Sequence, residues 1–310
     1  MVFDRRTLVI PDKTKFEERT IVTKGDVIIA DRCLIQFGIK TDGRIFVGEH
    51  VIIDGSLEST KDIRIDIFSS IGGDVKSNGN VYLGEKVKVD GKLSLKGDLD
   101  VADSVEIIKG FEAKGWINIR SPIPMVVYIF IYLTQLLKLG HSEEIERLLG
   151  EIEKNGEDII PISEIFLFIP NNSIIGFQKS EVGYNLHIGK KSIVFGNYDI
   201  KGNVFIGDGS VIQGSLKSTG NIFCGKNIKI QGNIKSDGEI RVDEETNIAG
   251  DLSGGKIYLS KIASVNGMLY AKDGISFVNN SAYEVEEKVK RFESNVDVLD
   301  EVDSMLEKLK

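Results

Sequence analysis

The chain is poor in the residues that build covalent or metal-held frameworks. Its 310 residues include 2 cysteines, 3 histidines, 5 prolines and 1 tryptophan. Cys33 and Cys224 are too few for a disulfide scaffold, and the scattered Cys and His show none of the close spacings of zinc sites. Positive charge is also short: Lys+Arg 39 against Asp+Glu 47 leaves a net charge of -8, which argues against an electrostatic grip on nucleic acid. No apolar stretch follows Asp4, Arg5 and Arg6, so a signal peptide is not expected and the cytoplasm is the expected location. A hydrophobic share of 41% with 28% charged residues still suffices for a core, which excludes a wholly disordered chain.

What the chain has in excess is glycine, 33 residues of it. Glycines recur at Gly38, Gly55, Gly73, Gly91 and Gly110, then at Gly196, Gly214, Gly232, Gly250 and Gly267, at intervals of 17 to 19 residues. This is a solenoid period. Apolar residues follow each glycine at alternating positions and at steps of six, as in Val75, Val81, Leu83, Val87 and Val89 after Gly73. Alternation marks a strand with one face inward, and a new face every six residues closes a triangular coil. Ser59, Ser77, Ser218 and Ser236 share the inward parity, so each hydroxyl must bond to backbone at a corner. Glycines such as Gly79, Gly84 and Gly91 fall at the corners, where a positive φ is expected.

The repeat is itself repeated at a shift of 159 positions. Leu8-Val9-Ile10-Pro11 returns as Leu167-Phe168-Ile169-Pro170, and Gly55-Ser56-Leu57-Glu58-Ser59-Thr60 as Gly214-Ser215-Leu216-Lys217-Ser218-Thr219. The expected fold is mainly β: two triangular β-solenoid domains over 1–120 and 165–279, a helical apolar linker over 121–164 and a helical segment over 280–310. Each rod is expected to enter through an edge strand, since Pro11 and Pro170 lack a ladder N–H. Open end rungs present unpaired N–H and C=O groups that invite a second copy. The candidate end-rung contacts are Val9, Ile10, Leu167, Ile169, Ile275 and Phe277.

Between the rods, Met125 to Leu137 is free of charge. Val126, Val127, Ile129, Phe130, Ile131, Leu133 and Leu136 make it apolar on all sides, which demands burial at a rod end or subunit contact, insertion in a membrane surface, or a span. Residues 142–154 read as an amphipathic helix capped by Ser142. In the tail, Val285, Val289, Phe292, Val296 and Leu299 step by 4, 3, 4 and 3, which predicts a helix laid on the rod or a coiled coil between chains.

Candidates for chemistry are few. His50, His141 and His187 are unpaired and read as surface residues. Cys224 points inward. Asp54 and Asp90 share a column about 10 Å apart, a spacing compatible with an inverting glycosidase, yet Asp before Gly is ordinary turn chemistry. Gly207-Asp208-Gly209 lacks the Lys and Ser/Thr of a phosphate loop. No catalytic, cofactor or metal site is expected.

Rungs of the form Gly73-Asp74-Val75-Lys76-Ser77 and Gly232-Asn233-Ile234-Lys235-Ser236 resemble those of bactofilins, polymer-forming cytoskeletal β-helix proteins. The resemblance covers both rods. It implies a right-handed triangular β-helix, assembly through rod ends without nucleotide, and attachment to the cytoplasmic face of the membrane. Bactofilins generally carry one β-helix between tails, whereas this chain has two copies. Ile206-Gly207-Asp208-Gly209-Ser210-Val211-Ile212 is also similar to the coil of hexapeptide-repeat acyltransferases, which need a histidine base that only His50 or His187 could supply. The expectation is a non-enzymatic scaffold whose partner is itself, as homo-oligomer or filament, with the inner membrane surface as a second contact.

Overall fold

The computed structural model describes residues 6–119 and 165–278. They contain strands and turns and no helix, wound as a β-solenoid of about twelve turns with three sheets of 14, 12 and 12 strands. The helical linker and C-terminal helix expected over 121–164 and 280–310 lie outside the described residues. Strands are two to five residues long because each face ends after six positions.

Stacking follows the period read from the glycines. Val75 is paired with Leu57 on one side and Leu93 on the other, and Val81 with Ile63 and Leu99. These side chains are fully buried. Each contributes about 1.5–3 kcal/mol by leaving water, and branched aliphatics suit the pleat in which identical positions sit about 4.8 Å apart.

The serine column behaves as its parity requires. Ser77 Oγ donates to the carbonyl of Lys61 one turn away at 2.6 Å and accepts from the N–H of Gly79 at 3.0 Å. Ser59, Ser218 and Ser236 repeat this arrangement. A second polar column, not anticipated from the sequence, lines another corner: Asp62, Asn80 and Asp98 each accept the backbone N–H of the residue 18 positions on, at 2.7 to 2.8 Å.

The corner glycines differ from expectation. Positive φ recurs every 18 residues at Arg32, His50, Phe68, Lys86 and Ser104, and in the second half at Lys191, Gly209, Asn227 and Glu245, so other side chains carry most of the strained corner. Most glycines are required instead by close approach between turns: a Cβ on Gly55 would stand 2.1 Å from the backbone N of Gly38.

The expectation of two separate rods is also corrected, because the two halves share all three sheets. Call the 14-stranded sheet 1, the one containing Leu34–Ile35 sheet 2, and the one containing Lys15–Glu17 sheet 3. The first half winds through sheets 1, 2, 3 from Asp26, and the second through 1, 3, 2 from Asn185. Residues 7–17 follow the order of the second half. They form its first turn, with Thr7–Ile10 parallel to Asn185–Ile188, then reverse in a hairpin into Thr20–Thr23. Residues 166–175 do the converse: Phe166–Ile169 runs parallel to Asp26–Ile29 and reverses through Ile174 into Lys179–Val182. Each copy thus begins as a turn of the other. The two entry strands meet antiparallel at Val9 and Phe168, which differ by 168 − 9 = 159, so a local two-fold axis passes through this pair.

Polar ties at the junction are reciprocal under the same shift. Cys33 Sγ donates to the carbonyl of Pro170 at 3.1 Å and Ser192 Oγ to that of Pro11 at 3.1 Å. The N–H of Lys190 donates to Asp12 Oδ1 at 2.8 Å and that of Asp31 to Asn171 Oδ1 at 3.2 Å. Phe37 fills the centre, edge-on to Phe16 and tilted against Phe177. Pro11 and Pro170 therefore follow strands in the middle of a sheet, not at its edge; each sits just past its strand and offers a carbonyl.

Candidate association interface

Because the halves join through their first turns, both outer ends are last turns. One end is built by Glu106–Ile107, Phe111–Ala113 and Ile117–Ile119, the other by Ser264–Val265, Leu269–Ala271 and Ile275–Val278. Phe111, Ile117 and Ile119 continue the columns of Leu93, Leu99 and Val101, and Leu269, Ile275 and Phe277 those of Leu252, Ile257 and Leu259. Within the described residues no further turn covers them. Ile119 is 80% and Phe277 61% exposed, although their column neighbours are buried or half-buried. Trp116 and Met268, 81% and 76% exposed, stand at the rims.

Of the residues expected at rod ends, Ile275 and Phe277 lie in an outer turn, whereas Ile10, Leu167 and Ile169 are buried at the central junction, where the exchange of first turns sandwiches them between strands. Val9 is half-buried beside Phe168. The missed residues, Phe111, Trp116, Ile117 and Ile119, carried a signal: they are the last to obey the period before Pro122. Val126, Val127, Ile129, Phe130, Ile131, Leu133 and Leu136 lie outside the described residues.

A second feature runs along sheet 1 of the second half. His187, Phe205, Phe223, Arg241 and Tyr258 occupy successive outward positions in register. The rings of Phe205 and Phe223 stack 4.9 Å apart at 8°, and the Arg241 guanidinium lies over Phe223 at 5.7 Å and Tyr258 at 5.0 Å. Beside this ladder runs a groove of about 460 Å³ that ends at Val278.

The other candidates for chemistry are occupied structurally. His187 is half-buried within the ladder rather than a free surface residue, and burial lowers its pKa. His50 stacks on Phe68 at 4.9 Å. His141 is outside the described residues. Burial pushes the Cys33 thiol up to about 11 and the Cys224 thiol up to about 12, the opposite of an activated nucleophile. Asp90 pairs with Lys88 at 3.0 Å on the surface. Among the described residues no group of His, Cys, Asp and Glu could hold a metal ion, and no helix is long and apolar enough to cross a membrane. No family model, curated protein or solved structure matches the chain.

Proposed function

We propose that the chain is a non-enzymatic scaffold, of bactofilin type and built by internal duplication, that associates with copies of itself through its outer turns without nucleotide. One observation carries this reading: core columns run out at both ends into exposed Phe111, Ile117, Ile119, Leu269, Ile275 and Phe277, beside strands that no further turn among the described residues pairs with. Such an end is completed by another end, which supplies both apolar cover and backbone pairing. Both ends are last turns, so every end-to-end contact joins a last turn to a last turn. Membrane contact through the charge-free segment Met125–Leu137 belongs to the same reading and would hold assemblies at the cytoplasmic face.

The test is sedimentation and electron microscopy of the full chain against the double variant Ile119→Lys, Phe277→Lys. The wild type is expected to form end-to-end assemblies and the variant single particles. A wild type that stays monomeric at all concentrations would overturn the proposal. Liposome flotation of wild type against Ile129→Glu, Ile131→Glu tests the membrane contact, where loss in the variant is expected.

A further inference from the structure

The ladder groove on sheet 1 is accessible in the described structure: Phe205 is 40% exposed, and Phe223, Arg241 and Tyr258 are half-exposed. What it can bind is limited by how its rings lie. Phe205 and Phe223 cover each other's faces, and Arg241 lies over Phe223 and Tyr258. A sugar or base stacks on an open ring face. Here largely edges are left, an apolar corrugation suited to aliphatic and aromatic side chains.

We propose that the occupant is the chain's own residues 281–310, folded back along the second half with their apolar stripe in this groove. Val278 lines the groove, so the tail leaves from the groove's open end. Asn279, Asn280 and Ser281 are residues that favour a reversal. As a helix, Val285 to Leu299 would be about 21 Å long, and the four steps from His187 to Tyr258 measure about 19 Å. A tail held in this way closes the face and leaves the last turn open, so the inference stands independently of self-association through the ends.

Cysteine pairs in the full chain test it. Native Cys33 and Cys224 are buried, so a short bismaleimide reads only introduced thiols. Lys256→Cys with Glu286→Cys is expected to link within one chain at least tenfold faster than Lys235→Cys with Glu286→Cys, in which position 235 lies on sheet 2. Adding Phe292→Asp is expected to remove the difference. Equal rates on the two faces, links between chains, or a preference untouched by Phe292→Asp would each overturn the proposal.

Discussion

At the scale of single residues, the coil is governed by what its corners tolerate. Gly55 has no room for a Cβ, since the clash is with the backbone of Gly38 and not with a side chain that could swing away. Gly55→Ala is expected to cost about 3 kcal/mol, as overpacking at a rigid site does, and to lower the urea midpoint accordingly. Glu245 is the reverse case. It is exposed at a φ of 55°, where an L-residue is strained. Glu245→Gly is expected to raise stability by about 0.5 kcal/mol, the relief of strain less the entropy glycine loses. Ser77→Ala strands the N–H of Gly79, while the Lys61 carbonyl keeps Ser59 Oγ at 3.0 Å, and is expected to cost about 1–3 kcal/mol. The serine column was legible because inward parity left its hydroxyl only backbone to bond. The positive-φ column was not, since Arg32, His50, Phe68, Lys86 and Ser104 have no chemistry in common and are united only by position.

At the scale of strands, short segments gain order by lying in register with copies of themselves. Faces of six residues were readable from Val75, Val81 and Val87, whose spacing recurs in most turns, as at Leu216, Ile222 and Ile228. The outward ladder was not, because sequence shows His187, Phe205, Phe223, Arg241 and Tyr258 as ordinary outward positions and only pairing reveals that they touch. Its first member gives the ladder a pH dependence. Burial lowers the His187 pKa, so the unfolded chain binds this proton more readily than the folded one. The contribution is complete above the unfolded value of about 6.5 and is lost as pH falls through the lower folded value. His187→Phe extends the stacked rings and removes the term. Its melting temperature is expected to drop less between pH 7 and pH 5 than that of the wild type, and an identical drop would contradict the assignment.

At the scale of the molecule, the join between halves decides which surfaces are ends. Counting turns along the sequence puts the first strands at free ends, and nothing local to Leu8–Pro11 or Leu167–Pro170 says otherwise. The exchange depends on contacts between residues about 160 positions apart, which periodicity cannot report. It predicts that the halves hold together without a covalent link. Cleavage at a protease site introduced at Gly140 is expected to leave two fragments that co-elute on gel filtration and part only in denaturant. The exchange also imposes an order on synthesis. Thr7–Ile10 is synthesised well before its lateral partners, residues 166–169 and 185–188. At about 5–20 residues per second they follow roughly 10–30 s later. Through that interval Thr7–Ile10 waits unzipped, with Leu8 and Ile10 open to any passing strand, so any need for a chaperone is expected to end only when residues 185–188 arrive.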